Sequence, residues 1–321
     1  MKAAVYAQYG TPDVLHIEDI DKPEPKDNEV LVKVHATSIN SWDYDLLTGT
    51  TLGRIFGGFR KPRHQVLGCD VSGVVDAIGS KVTLWKVGDE VFGDISGGSW
   101  GGFAEYARAK EDVLARKPNG LTHEQASVIP QAGLLALQGL RNVGKMRAGD
   151  KVLINGAGGG VGVVAIQLAK LEGAKVTAVD HEGKFDMMQS LGADHVINYK
   201  QESFTKNGKQ YDLILENIAT HSLFDYKRSL APNGIFCMTG GTPKSLLQML
   251  FLSKLLSVGS RKLRLVALQY SPEDMTYLAN LMEAGKISAV IDKCYPLSQT
   301  ADAFHYIASG AFKGKVVITN I

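Results

Sequence analysis

The sequence has few cysteines, little net charge and no long apolar run, and each scarcity excludes a class of protein. Its three cysteines, Cys69, Cys237 and Cys294, lie far apart among 321 residues, so they form neither a disulfide framework nor a C-x-x-C metal pair. A net charge of +2 does not indicate nucleic acid as a partner. The N-terminus lacks the apolar core of a signal peptide, and no stretch reaches the length of a membrane span. We therefore expect a cytoplasmic protein with no membrane span.

A glycine-rich turn opens the middle of the chain. The stretch "KVLINGAGGGVG", residues 151–162, passes from a strand-like run into a helical pattern. Glycine permits positive φ angles and close approach of the backbone, and the N-terminus of the following helix suits a phosphate. The spacing is Gly156-x-x-Gly159-x-x-Gly162 rather than the usual G-x-G-x-x-G. Because such turns also occur for structural reasons, the surrounding sequence must decide.

The following eighty residues favour a nucleotide site. Short apolar strands alternate with helical stretches, which indicates a parallel sheet covered on both faces. Asp180 ends the second strand, 18 residues after Gly162, where a carboxylate can accept hydrogen bonds from a ribose diol. We predict a dinucleotide-binding domain. The predicted cofactor-binding residues lie in the turn, after the second strand and at the ends of later strands: Asn155, Gly156, Gly158, Gly159, Gly160, Val161, Gly162, Asp180, Lys184, Tyr199, Asn217, Gly240 and Gly241.

The two ends of the chain have a different pattern. Residues 1–120 contain short strand-like pieces separated by glycine turns, which is typical of a β-rich domain. The C-terminal "KGKVVITNI" is again strand-like, and we expect it to pack back on the first domain. The most apolar run, residues 245–259, allows two interpretations: a buried or interface helix, or a flexible cap over an apolar substrate.

Seven motifs together resemble the medium-chain dehydrogenase/reductase superfamily, within it the zinc-free quinone oxidoreductase branch. They are "SINSWDY", "LGCDVSGVVDAIG", "VGDEVFG", "GGFAEY", "NGAGGGVG", "LGADHVINY" and "KGKVVI", in the family's order. The resemblance implies an α/β fold with a GroES-like β-rich domain, residues 1–122 and 270–321, and a Rossmann domain with a doubly wound parallel sheet, residues 123–269. It also implies a homodimer, in which the strand-like residues 263–270 could pair across a two-fold axis.

The resemblance also allows a test for zinc. Asn40 stands where alcohol dehydrogenases of the superfamily have a first cysteine ligand, Cys69 where they have a histidine, and a residue near Gln131 where they have the third ligand. The four-cysteine structural lobe is missing. One thiol beside two amides does not supply the ligands that zinc needs. We therefore predict that the protein holds no zinc.

Hydride transfer without a Lewis acid suits an electrophile that is already activated, such as a quinone or a conjugated enone. We predict Asn40 and Tyr44 as catalytic residues that donate to the substrate oxygen or relay a proton, although Tyr44 also suits plain packing. Asp43 suits a structural acceptor. The predicted function is a zinc-independent NAD(P)H-dependent reductase of quinones or related conjugated carbonyls. The alternatives are a 2-alkenal or enoyl double-bond reductase and a dinucleotide-binding protein with little catalysis.

The residues after the second strand and the family resemblance favour different nucleotides. Asp180 and Glu182 in "VDHEGK" would repel the 2′-phosphate of NADPH, which favours NADH. Lys184, which could reach a phosphate, and Tyr199, which could contact the adenosine side, oppose this interpretation. The family resemblance favours NADPH.

Overall fold

A computed structural model describes residues 1–320, which divide into two compact units. One comprises Met1–Ala132 together with the segment from Tyr270 onward, and the other comprises Gly133–Gln269. We expected the first domain to end at residue 122, whereas the first unit continues for ten more residues, to Ala132. The segment that follows residue 122 stays with the first unit, where the His123 ring bonds the Ser72 hydroxyl at 2.8 Å.

The described residues form fifteen strands and ten α-helices. The strands are β1 (Lys2–Val5), β2 (His16–Asp19), β3 (Glu29–Ser38), β4 (Asp70–Ile78), β5 (Glu90–Asp94), β6 (Tyr106–Lys110), β7 (Leu114–Arg116), β8 (Lys151–Asn155), β9 (Lys175–Asp180), β10 (His195–Asn198), β11 (Tyr211–Glu216), β12 (Leu230–Met238), β13 (Lys262–Leu265), β14 (Ile291–Pro296) and β15 (Lys315–Thr319). The helices are α1 (Ser41–Thr48), α2 (Thr51–Gly57), α3 (His123–Ser127), α4 (Pro130–Leu137), α5 (Gly160–Leu171), α6 (Phe185–Ser190), α7 (Leu223–Ser229), α8 (Pro243–Leu256), α9 (Pro272–Glu283) and α10 (Thr300–Ala308).

The first unit is built on a mostly antiparallel sheet. Its strand order is β14-β15-β3-β4-β5-β7, with β6 paired to β3. The long strand β3 is buried along most of its length and carries Val30, Val32 and Val34 into the core. The C-terminal strand β15 pairs antiparallel with β3, with Val317 opposite Ser38. This pairing brings the start of β15 next to the start of α1.

The second unit is a parallel sheet in the order β10-β9-β8-β11-β12-β13. The central strand β8 is fully buried at Val152, Leu153 and Ile154, as expected for a strand covered on both faces. Parallel strands joined by helices place all their carboxyl ends at one edge, where this fold class binds ligands. The predicted α/β fold class, a GroES-like domain with a parallel-sheet domain, is confirmed.

The apolar run at 245–259 forms α8 and the residues after it, and this helix is not buried. Met249 and Leu256 face the core, but Leu250, Phe251 and Leu255 are 63%, 77% and 69% exposed. The buried-helix interpretation is wrong for these side chains, because apolar character alone does not tell a core face from an open one. The interface and cap interpretations stay predictions. No helix among residues 1–320 is long and apolar enough to cross a membrane.

Candidate active site

The glycine turn joins β8 to α5 at the carboxyl edge of the parallel sheet. Gly156 has φ +72°, and a β-carbon there would lie 2.9 Å from the Ile218 side chain. Only glycine fits this left-handed, crowded position. The turn is therefore fixed by the backbone requirement at its first glycine.

The next glycines create an open cradle at the start of α5. Gly159 precedes the helix, and a β-carbon there would meet only the Gly156 carbonyl oxygen, at 3.6 Å. The first N–H groups of a helix have no partner within the helix, so those of Gly160, Val161 and Gly162 suit a phosphate. Gly159, Gly160 and Val161 are partly exposed. The free space before exposed N–H groups fits a dinucleotide pyrophosphate.

Asp180 ends β9 beside this turn. Its Oδ2 accepts a hydrogen bond from the Gly158 N–H at 2.8 Å, and its Oδ1 accepts one from the His181 N–H at 2.8 Å. The Lys184 ammonium lies 3.5 Å from Oδ1, and both side chains are largely buried. Asp180 thus ties the glycine turn to β9, a role that the sequence analysis did not assign to it.

The other predicted cofactor residues lie near the same edge of the second unit. The Asn217 amide donates to the Asn155 carbonyl at 2.8 Å, which ties the ends of β8 and β11 together. A β-carbon at Gly240 would lie 2.8 Å from the Asn217 carbonyl oxygen, and Gly241 has φ +150°. Tyr199 is 56% exposed, and its N–H donates to the Asp180 carbonyl.

Glu216, which the sequence analysis missed, organises this edge. It is fully buried and accepts hydrogen bonds from the Asn155 side-chain amide at 2.8 and 2.9 Å and from the Ile218 and Ala219 N–H groups at 2.8 and 2.7 Å. A carboxylate at the end of the apolar run "YDLILE" was the available signal. Its bonds hold the residues that follow β11 close to the glycine turn.

A second polar cluster lies inside the first unit, around the residue that precedes α1. The Asn40 amide nitrogen donates to the Asp70 carboxylate at 2.9 Å and to the Cys69 sulfur at 3.2 Å. The Lys315 ammonium donates to the Asn40 amide oxygen at 2.6 Å. The main-chain N–H of Gln131 donates to Asp70 at 3.0 Å. Asn40, Cys69 and Gln131, the positions tested for zinc ligands, therefore do meet.

Two acidic groups complete this cluster. Asp43 accepts hydrogen bonds from the N–H groups of Asn40 and Gly68, so it holds the start of α1 as expected. Burial raises the pKa of the Asp43 carboxyl to about 7, and the neighbouring Asp70 adds to the rise. Burial, with Asp70 adding, also raises the pKa of Asp94 to about 7. The pKa of the Cys69 thiol is raised by burial first and by Asp43 next. Cys69 is thus held as a neutral thiol.

With the Lys315 ammonium inside it, the donor set around Asn40 does not fit a zinc ion. Zinc prefers thiolate, imidazole and carboxylate ligands, but amide nitrogens of Asn40 and Gln131 point at the Cys69 sulfur, at 3.2 and 3.6 Å. Asp70 could serve as a ligand, yet one of its oxygens accepts from Gln131 and the other from Asn40, Ser38 and Lys315. A buried ammonium beside these groups disfavours a divalent cation further.

The two predicted catalytic residues differ in availability. Asn40 is 8% exposed, and both protons of its side-chain amide are engaged inside the cluster. Tyr44, on α1, is half-buried against the core, and its hydroxyl makes no hydrogen bond with any residue from 1 to 320. Trp42 packs edge-on against Phe56, with ring centroids 5.7 Å apart. Of the two predicted donors, Tyr44 has the uncommitted proton.

Two family models match this chain. A model described as an alcohol dehydrogenase GroES-like domain matches residues 26–119, and one described as a zinc-binding dehydrogenase matches residues 191–318. The second match lies mostly in the parallel-sheet unit and covers Lys315 but none of Asn40, Cys69 and Gln131.

Relatives match nearly the whole chain. A chloroplast envelope quinone oxidoreductase homolog of Arabidopsis thaliana is 32% identical over 99% of this chain and 98% of that protein. An NADPH-dependent alkenal/one oxidoreductase, chloroplastic, of the same plant is 33% identical over 99% of this chain and 79% of that protein. The solved quinone oxidoreductase from Coxiella burnetii has a TM-score of 0.90 and 30% identity, covering 100% of this chain and 99% of that one.

Proposed function

The chain belongs to the quinone oxidoreductase-like branch of the medium-chain dehydrogenase/reductase superfamily, and we propose that this NAD(P)H-dependent oxidoreductase reduces quinones without zinc. The observation that carries the proposal is the cluster around Asn40, where two amides and one thiol stand at the positions expected for zinc ligands, with the Lys315 ammonium beside them. An unactivated ketone needs its developing alkoxide stabilised by a Lewis acid. A quinone spreads that charge over its ring, so orientation and a single proton donor suffice.

Different residues of the chain bind the nucleotide, donate the proton and order the start of α1. The nicotinamide supplies the hydride when the nucleotide is bound. The glycine turn at Gly159 and the first N–H groups of α5 hold the pyrophosphate. The Tyr44 hydroxyl donates the proton to the quinone oxygen, because it is the uncommitted donor of the pair. Asn40 acts through the cluster that orders the start of α1.

We propose NADH as the preferred nucleotide. Two carboxylates, Asp180 at the end of β9 and Glu182 two residues later, face one ammonium, that of Lys184, which lies 3.5 Å from Asp180, so a net negative charge remains. A 2′-phosphate placed about 4 Å from one such carboxylate would cost up to a few kcal/mol at a surface-like dielectric. The plant relative named as NADPH-dependent gives the contrary expectation.

A double-bond reductase is the second candidate, and the relative named as an alkenal/one oxidoreductase favours it. The two activities differ in where the solvent proton ends. Reduction of an enone in D₂O places deuterium on a carbon of the product, whereas reduction of a quinone places it only on exchangeable oxygens. The alternative of a binding protein with little catalysis is dropped, because relatives matching nearly the whole chain are oxidoreductases.

One purified preparation tests the proposal. Quinones and enones are offered with NADH and with NADPH, and zinc is measured by elemental analysis after dialysis. We expect the highest kcat/KM with a quinone, and no stoichiometric zinc. Turnover confined to enones would favour the second candidate. About one zinc per chain, with activity lost to a chelator, would contradict the zinc-free mechanism.

The homodimer and the cytoplasmic location are also proposals. Strand β13 is the edge of the parallel sheet, and such an edge can pair with a copy of itself. The regular strand ends at Leu265, so only the first part of the segment 263–270 is available for pairing. A monomer mass in light scattering at micromolar concentration would contradict the dimer. Both plant relatives are chloroplastic by name, so location needs cell fractionation.

A further inference from the structure

Lys315 is a buried lysine at the start of β15 whose side chain is only 5% exposed. The ladder between β15 and β3 continues to the Ile39 N–H, which donates to the Val316 carbonyl at 2.9 Å. This register sets Lys315 beside Asn40, with Nζ 2.6 Å from the Asn40 Oδ1 and 3.5 Å from the Asp70 Oδ2. The position of the ammonium is therefore determined by strand pairing.

The ammonium settles which way the Asn40 amide points. With Oδ1 toward Lys315, the amide nitrogen faces Asp70 and Cys69 and donates to both. The flipped amide would direct N–H groups at an ammonium and an oxygen at a carboxylate. Only one orientation satisfies every group.

Lys315 lies among three buried acidic side chains, in the place that a metal ion would take in a metal site. Asp43, Asp70 and Asp94 are at most 1% exposed, and Lys315 is the cation among them. One ligand atom from each of Cys69, Asp70 and Asp94 lies within 4.8 Å of the others. One oxygen of Asp94 has no hydrogen-bond partner among residues 1–320. A thiol and two carboxylates are an acceptable ligand set for zinc once the competing cation is removed.

We infer that the Lys315 ammonium is the internal cation of this cluster: it keeps divalent metal ions out and positions the Asn40 amide. Lys315 is thus a positioning residue, since it acts on the reaction through Asn40 and α1. Its effect on turnover rests on the proposed quinone reduction, whereas its effect on metal binding does not.

The first experiment removes the charge and keeps the length of the side chain. We expect Lys315→Met to bind about one Zn²⁺ or Co²⁺ per chain, with the near-ultraviolet absorption of a cobalt–thiolate bond from Cys69. The wild type and Lys117→Met should bind none. Lys117 is the matched control, because it is equally buried in the first unit but donates to the Leu121 carbonyl, at 2.7 Å, away from the cluster. A folded Lys315→Met chain without a metal would overturn the inference.

A second set of variants includes two, Asn40→Cys and Lys315→Arg, that do not depend on the folding of Lys315→Met. Asn40→Cys supplies a second thiol but keeps the ammonium, so it should bind no zinc, whereas Asn40→Cys combined with Lys315→Met should bind zinc tightly. Lys315→Arg keeps the positive charge and should also exclude the metal. Stoichiometric zinc in Asn40→Cys alone would show that Lys315 does not exclude metals.

The positioning role is read from turnover in the presence of a chelator. Loss of one charged hydrogen bond should lower kcat for a quinone by roughly ten- to a hundredfold. The affinity for the nucleotide should stay unchanged, because the glycine turn lies in the other unit. Lys315→Arg should recover part of the loss. Unchanged kcat in Lys315→Met would refute the positioning role, and absence of turnover in the wild type would instead refute the proposed function.

Discussion

Gly159 and Gly162 lie three residues apart, and their different surroundings provide a paired test of cofactor binding. A β-carbon at Gly159 would make one ordinary contact, at 3.6 Å, and its φ of −92° suits any residue. A β-carbon at Gly162 would lie 2.4 Å from the Ala157 α-carbon and 2.5 Å from its carbonyl carbon and oxygen. Packing within the chain thus requires glycine at 162 but not at 159.

The two substitutions should therefore have separate effects. Gly159→Val should destabilise the fold by at most about 1 kcal/mol, as a poorer helix N-cap. Its branched side chain would fill the cradle, so nucleotide affinity should fall at least tenfold, or about 1.4 kcal/mol. In Gly162→Ala the new β-carbon would clash with the backbone of Ala157, which should lower the free energy of unfolding by about 1–3 kcal/mol. The better helix propensity of alanine offsets about 1 kcal/mol of this.

The assays are a fluorescence titration with NADH and NADPH and a thermal unfolding curve for each variant. We expect Gly159→Val to melt near the wild type but bind nucleotide weakly, and Gly162→Ala to melt earlier. A folded Gly159→Val variant with unchanged affinity would show that the turn is only structural. A Gly162→Ala variant that is more stable than the wild type by the full helix propensity of alanine, about 1 kcal/mol, would refute the packing argument.

Three further predictions address charge and proton transfer. Asp180→Asn keeps an acceptor for the Gly158 N–H but removes the charge, so the ratio of kcat/KM for NADPH to that for NADH should rise roughly tenfold; a wild type that already prefers NADPH tenfold would contradict the reasoning. Burial, with His35 and Lys117 adding, lowers the pKa of His123 to about 4 from its usual 6.5. The folded chain therefore binds fewer protons than the unfolded chain between these values, and stability present above pH 6.5 is lost as the pH falls toward 4. In His123→Gln the loss in free energy of unfolding between pH 7 and 4.5 should shrink by about 1–2 kcal/mol, measured by urea unfolding; an unchanged loss would exclude His123 as the cause. Tyr44→Phe should lower kcat for a quinone by about a hundredfold with little change in KM, and an unchanged kcat would remove Tyr44 from the mechanism.

The sequence predicted the parallel-sheet unit well because its signals are local. The strands β8, β9 and β11 are short apolar runs, and the turn at Gly156 requires glycine through its own backbone angle. The same local reasoning failed for α8, where apolar residues such as Phe251 are exposed. Periodicity records which residues are apolar, but the rest of the fold determines which of them are covered.

The role of Asp180 shows a different limit. Its position at the end of β9 was predicted from spacing, and the structure agrees. Its hydrogen bond to Gly158 depends on how the turn folds back over the strand, which spacing alone does not contain. Because of this bond, removing the whole Asp180 side chain would loosen the turn and alter the nucleotide preference at the same time. Asparagine separates the two effects.

The sequence predicted only some residues of the cluster around Asn40, and the residue that it missed is the more informative one. The family resemblance identified the positions Asn40, Cys69 and Gln131, but only as residues that do not supply the ligands that zinc needs. The group that balances their neighbouring acids is Lys315, 275 residues away from Asn40 along the chain, in a C-terminal motif that otherwise indicates only a strand. A buried carboxylate such as Asp70 needs a partner of opposite charge whether or not a metal is present. The physical question at a buried carboxylate such as Asp70 is therefore which cation balances its charge, and here strand pairing between β15 and β3 places the Lys315 ammonium 3.5 Å from it.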